Sequence, residues 1–191
     1  MPTSDSIKLS VVIPAYNEEQ RLGDTLTRVR EYLQSRKDGF EILVVDDGSV
    51  DRTAEVVSLH PDPPVHLLRL EKNRGKGGAL KRGVLASRGD WVLLTDADLS
   101  TPIEDLELLE SRTGESAVVL GSRAVADSQV SKHQPIYREM MGKTFNAILR
   151  LLALVEERDT QCGFKLIRGD LARDLFADLS VERFAYDVEL V

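Results

Sequence analysis

The sequence has almost no cysteine, no excess of positive charge and no long apolar run. Cys162 is its one cysteine, which excludes an internal disulfide and suits a reducing compartment. A lone thiol of this kind ordinarily serves as a small buried side chain. Lys and Arg number 25 against 32 Asp and Glu, giving a formal net charge of -7 and a sequence pI of about 5.1. A general nucleic-acid binder needs a basic surface to neutralise phosphates, so that class is excluded and an anionic partner must be met locally. No window reaches the roughly 18 apolar residues of a membrane span, and "MPTSDSIK" has no basic and apolar leader. A cytoplasmic protein is expected, soluble or peripheral at a membrane face. Repeats and low-complexity segments are also missing, and the Pro-rich "HPDPPV" at 60–65 reads as a connection.

What is there suffices for one substantial core. The 191 residues are 42% hydrophobic, and the length favours a single domain. The terminal "RFAYDVELV" reads as a helix in progress with no stop behind it, which predicts truncation at the C-terminus. Apolar, β-branched runs occur at 9–14, 41–46, 65–70, 91–96 and 117–122. Between them, 20–36, 51–59, 77–87 and 102–111 read as helices. This alternation predicts an α/β fold with a parallel sheet. Thr101 as N-cap, Pro102 as first helical residue and Glu104 three residues after the cap mark the start of the fourth helix.

Ligands of such folds bind beyond the carboxyl ends of the strands. Polar clusters fall there four times: "PAYNEE", "DDGS", "NRGKGG" and "DAD". In "WVLLTDADLS" a buried strand ends on Asp96 and Asp98, which, two apart in extended chain, point to one side. Such a pair repels, and a hard cation relieves the repulsion. A polar turn is the alternative, but four clusters on one edge favour a metal. Asp46 and Asp47 before Gly48 read either as a turn, with Ser49 or Asp51 capping the next helix, or as acceptors for a ribose or base N–H. Asn17 and Glu18 carry the same ambiguity. Gly75, Gly77 and Gly78 place backbone N–H groups where a strand meets a helix, a setting for an anion, although the spacing matches neither the Walker nor the dinucleotide pattern. Lys76 either meets a nucleotide or solvates the loop.

Between 121 and 150 the balance changes sign, with Arg123, Lys132, Arg138, Lys143 and Arg150 against Asp127 and Glu139. Arg138, Met141, Phe145, Ile148, Leu149 and Leu152 suggest an amphipathic helix, fit either for a membrane surface or for an ordinary domain face.

The stretches "VVIPAYNEE", "ILVVDDGSVDRT", "NRGKGGAL", "DADLSTP", "GSR", "RDTQCGFKL" and "ERFAYDVEL" resemble glycosyltransferase family 2, most closely its dolichyl-phosphate β-glucosyltransferase branch, across 11–191. The resemblance implies a GT-A fold, Rossmann-like and mostly parallel with helices on both faces, forming one catalytic domain. It also implies a UDP-sugar donor, Mg²⁺ or Mn²⁺, and inversion by in-line attack. By similarity Pro14, Ala15, Tyr16, Glu18 and Asp47 hold the uridine, and Lys76 and Ala97 join the donor site. Asp96 holds ribose and metal, and Asp98 the metal. Arg123 and Arg138 grip an acceptor phosphate, because guanidinium forks match phosphate oxygens. Lys143 and Gln161 lie on the acceptor side. Asp159 stands at the family's catalytic carboxylate, a base for a sugar hydroxyl. A polyprenyl phosphate, with a second pKa of about 6, hardly needs one.

Two features depart from the eukaryotic members: their N-terminal membrane anchor is not found here, and their "DADG" is "DADLS". The expected reaction is glucose transfer from UDP-glucose to a polyprenyl phosphate at a cytoplasmic membrane face. GDP-mannose as donor or a sugar hydroxyl as acceptor is the enzymatic alternative. A nucleotide-binding or receiver-like signalling module is the non-enzymatic one.

Overall fold

The computed structural model describes residues 7–36, 38–60, 65–121 and 162–179. Strands β1 (Ile7–Ala15), β2 (Gly39–Asp46), β3 (Val65–Arg69) and β4 (Trp91–Leu94) run parallel. Helices α1 (Leu22–Ser35), α2 (Thr53–Ser58) and α3 (Gly75–Ala86) connect them. A 3-10 turn (Ile103–Asp105) and a short α4 (Leu106–Glu110) lead to β5 (Val118–Leu120). Strand β6 (Lys165–Arg168) inserts antiparallel between β4 and β5, and α5 (Gly169–Asp178) follows it. The sheet order is β3-β2-β1-β4-β6-β5. Successive strands step outward from β1 to β3, and α3 then carries the chain back to β4 on the other side of β1. That reversal makes the carboxyl ends of β1 and β4 the switch point, where open α/β sheets bind ligands.

The central strands carry unbroken apolar runs, such as Val11–Ile13, Ile42–Val45 and Val92–Leu94, because helices cover both faces. Val11, Ile13, Val44 and Leu93 pack in one layer with Leu22, Leu26, Val29 and Leu33 of α1. Their neighbours Val12, Val45, Val92 and Leu94 pack in the other with Leu80 and Val84 of α3 and Phe176 of α5. A helix of α1's length is marginal alone, but each buried aliphatic side chain adds about 1.5–3 kcal/mol, so packing decides. On the other layer α3 lies so near the sheet that a Cβ on Gly83 would meet Val12 Cγ1 at 2.4 Å. Glycine there sets the layer spacing.

Four expectations need correction. The fourth helix does not begin at Thr101: Pro102 has an extended ψ of 142°, a 3-10 turn intervenes, and no side chain caps it. Helix α3 begins at Gly75, so the glycine run is its first turn and not a preceding loop. Strand β4 ends at Leu94, so Asp96 and Asp98 lie in a turn and their relation is not that of a strand. Strand β6 and helix α5 were not foreseen, and β6 makes the sheet mixed at one edge.

Candidate active site

The ends of β1 and β2 are laced together by short bonds. Asp47 N–H donates to Ala15 O at 2.8 Å, and Asn17 N–H to Ser49 Oγ at 3.0 Å. Val50 N–H donates to Asn17 Oδ1 at 3.0 Å, and Glu18 N–H to Thr53 Oγ1 at 2.8 Å. Asn17 takes a φ of 55°, a left-handed conformation that asparagine tolerates better than most residues. Glu18 Oε2 accepts from Arg21 Nε at 2.8 Å and Oε1 from Arg21 Nη2 at 3.0 Å. Tyr16 is 46% exposed at the rim, beyond buried Ala15. Pro14, Ala15, Tyr16, Glu18 and Asp47 therefore share one edge of the sheet. Asp51 follows the helix-capping alternative, its Oδ1 accepting from Thr53 N–H at 2.9 Å.

The two adjacent aspartates at the end of β2 part company. Asp46, fully buried, accepts Ser49 N–H on Oδ1 at 2.8 Å. Its Oδ2 has no hydrogen bond and lies 3.3 Å from Arg69 Nε. Asp47 reaches the other way, taking Arg74 N–H on Oδ1 at 2.7 Å and Gly75 N–H on Oδ2 at 2.8 Å. Gly75 carries a φ of 83° at this corner. The positive end of α3 thus faces a carboxylate of the protein itself. The phosphate role expected of this glycine run loses the Gly75 N–H, and that of Arg74 before it, because Asp47 has them.

Beyond β4, Leu99 N–H donates to Asp96 O at 3.2 Å, closing a turn through Ala97 and Asp98. Leu99, where the eukaryotic pattern has glycine, adopts a φ of 45° and packs against the core. Asp98 Oδ1 accepts Ser100 N–H at 3.0 Å. The buried hydroxyl of Thr25 on α1 donates to Ala97 O at 2.7 Å, fixing the turn from below. Asp96 is not unpaired: Lys76 Nζ stands 2.6 Å from Oδ1, the two side chains being 19% and 32% exposed. Gly163 lies against the same carboxylate, since a Cβ there would sit 2.2 Å from Asp96 Oδ2. The "DTQCGFKL" segment and the "DAD" turn therefore meet. Phe164 O accepts Gly121 N–H at 2.9 Å beside them.

Two carboxylates on one turn, one already resting on an ammonium, are suited to hold a cation. Among the described residues no group of three or more His, Cys, Asp or Glu could enclose a metal. Thr25 and Gly163 shape this edge without having been singled out as site residues, and of the two Gly163 carried a signal, through its motif. Asn17 and Ser49, for which the sequence left a capping role open, bond to one another across the strand ends. Asp159, Arg123, Arg138, Lys143 and Gln161, and the amphipathic stretch 138–152, lie outside the described residues. No helix among the described residues is long and apolar enough to cross a membrane.

This arrangement of sheet and switch point is a GT-A fold, and comparison with known proteins agrees. The family model described as glycosyl transferase family 2 matches residues 10–176. A dolichyl-phosphate β-glucosyltransferase of Dictyostelium discoideum is 39% identical over 98% of this chain and 62% of its own. One of Homo sapiens is 37% identical over 98% and 63%. The chain belongs to glycosyltransferase family 2, and the receiver-like reading falls away. It spans about three-fifths of the length of those two relatives. Among solved structures, glucosyl-3-phosphoglycerate synthase from Mycobacterium tuberculosis, in complex with Mn²⁺, UDP-glucose and phosphoglyceric acid, superposes with a TM-score of 0.70. It is 23% identical, over 96% of this chain and 63% of that one. The likeness shows the shared fold.

Proposed function

We propose that this chain is the catalytic domain of an inverting, metal-dependent glycosyltransferase that moves glucose from UDP-glucose to a polyprenyl phosphate of the dolichyl type. The observation that carries the reading is the meeting of the acidic turn with the "DTQCGFKL" segment, Gly163 against Asp96, in a chain whose relatives from Dictyostelium discoideum and Homo sapiens, each matched over 98% of its length, bear the same enzyme name. The structural neighbour was crystallised with Mn²⁺ and UDP-glucose, which supports the choice of donor and ion.

In this reading the uridine sits on the edge formed by Pro14, Ala15, Tyr16, Glu18 and Asp47, with Ala97 lining the donor site. A carboxylate offers about four lone-pair positions, so Asp47 can hold α3 and still accept a base N–H. Asp96 and Asp98 hold Mg²⁺ or Mn²⁺, which neutralises the charge that develops on the leaving diphosphate. Asp96 also meets the ribose. The acceptor's phosphate oxygen attacks the anomeric carbon from the face opposite the diphosphate. The new C–O bond forms as the old one breaks, and UDP leaves with the electron pair. Arg123 and Arg138, aided by Lys143 and Gln161, hold the acceptor phosphate. An ionised phosphate needs no base, so Asp159 orients the sugar or the acceptor. The reaction takes place at the cytoplasmic face of a membrane, where the lipid acceptor is anchored.

Titrating UDP-glucose and GDP-mannose calorimetrically, each with Mn²⁺ and with chelator, tests the donor. Transfer of labelled glucose to polyprenyl phosphate in detergent tests the acceptor. Metal-dependent binding of UDP-glucose together with a glycolipid product is expected. Preference for GDP-mannose, or transfer only to a free sugar, would overturn the assignment.

A further inference from the structure

We infer that Lys76 is a resident cation which Asp96 holds until metal and nucleotide arrive together, and that its release couples the binding of the two. The inference rests on the proposed donor site and goes beyond it by giving Lys76 a role in the order of assembly. Lys76 is the second residue of α3, where Asp47 holds the preceding backbone. From there its ammonium reaches Asp96 Oδ1 at 2.6 Å with only 19% of its side chain exposed. Gly163 closes the Oδ2 side of the same carboxylate. The carboxylate thus lies between a positive charge and a backbone wall, with its remaining side open to solvent.

A divalent ion alone gains little here. It must displace Lys76 from Asp96, or accept its repulsion across a partly desolvated contact. The displaced ammonium then gives up its carboxylate, and the ion finds no cluster of three acidic, histidine or cysteine ligands among the described residues. When a nucleoside diphosphate comes with the ion, both deficits close. Phosphate oxygens complete the coordination shell, and the freed ammonium exchanges a carboxylate for phosphate. Lys76 is in this sense a positioning residue: it disfavours the metal-only state and favours the ternary one.

The test is Mn²⁺ binding, read from the electron paramagnetic resonance signal of the free ion, in the wild-type chain, Lys76→Met and Lys76→Arg, each with and without saturating UDP. Thermal melts check that every variant is folded. Without nucleotide, Lys76→Met is expected to bind Mn²⁺ about tenfold more tightly than wild type, the scale of one partly buried ion pair. With UDP the gap closes or reverses, so the factor by which UDP tightens Mn²⁺, and reciprocally Mn²⁺ tightens UDP, falls by the same amount. Lys76→Arg keeps the charge and retains the coupling. Equal or weaker binding of Mn²⁺ alone by Lys76→Met, in a wild-type protein that does bind Mn²⁺ with UDP, overturns this inference and leaves the proposed function standing. Failure of every form to bind Mn²⁺ even with UDP overturns both.

Discussion

Replacing Gly163 by alanine tests whether the meeting of the two segments belongs to the active site. The added Cβ would lie 2.2 Å from Asp96 Oδ2, 2.7 Å from Cγ and 2.9 Å from Oδ1. To reach even ordinary contact the two groups must part by roughly 1 Å, a misplacement that costs on the order of 10²-fold in rate when it falls on reacting or metal-holding groups. The fold should suffer less. Asp96 is 32% exposed in its side chain and can swing, so the stability loss belongs at the lower end of the ~1–3 kcal/mol typical of overpacking. The assay pairs turnover of UDP-glucose with a denaturant melt, and Gly114→Ala is the control because a Cβ there has nothing within 4 Å. A Gly163→Ala protein with wild-type turnover would refute the reasoning. Loss of activity in proportion to unfolding would refute it as well.

Asp98→Ala is expected to abolish turnover with an unchanged melting temperature, since its one bond within the described residues, to Ser100 N–H, is a local turn contact; measurable glucose transfer by the variant would sink the metal assignment. Asp47→Ala strips two acceptors from the start of α3 and is expected to cost about 2–4 kcal/mol in chemical denaturation. A loss under 1 kcal/mol would mean that water replaces the carboxylate. Glu41, 1% exposed, has its pKa pushed up by burial, but the Ser10 hydroxyl and the Arg88 side chain and N–H outweigh this and hold it below the ordinary value. Its contribution to stability is therefore full above the unfolded carboxyl value of about 4.3 and is lost as pH falls through the lower folded one. Glu41→Gln should flatten the stability–pH curve in that window, and a curve parallel to wild type would contradict the linkage.

The central strands were legible because burial on both faces leaves an unbroken apolar run, as in Val11 to Ile13 and Val92 to Leu94. The clusters at their ends were legible for the complementary reason that polar side chains survive where the cover stops. Strand β6 was not, because its sequence, "KLIR", opens on Lys165. That residue is fully buried, with its ammonium donating to Cys162 O at 2.6 Å. No periodicity signals a lysine satisfied by a carbonyl three residues away. The start of α3 was missed because glycine is a poor helix former, and the carboxylate that holds its first turn, Asp47, lies 28 residues before Gly75. The Lys76–Asp96 pair has no local trace at all: it exists because α3 ends where β4 begins and folds back along it. The 3-10 turn after Pro102 shows the opposite error, a capping signature on a segment that the left-handed Leu99 already redirects.

Strand β6 runs against its neighbours, and this has a consequence for how such a chain can diversify. Strand β5 ends at Leu120 and β6 begins at Lys165, with Gly121 N–H bonded to Phe164 O at 2.9 Å. Gly121 and Cys162, the described residues that flank 122–161, are therefore neighbours, a Cβ on Gly121 lying 3.2 Å from Cys162 Sγ. Where two ends are pinned together like this, doubling the length of a loop between them adds only about 0.6 kcal/mol of closure entropy. The pairing of β6 with β4 and β5 can therefore tolerate insertions between 121 and 162 without a change of register.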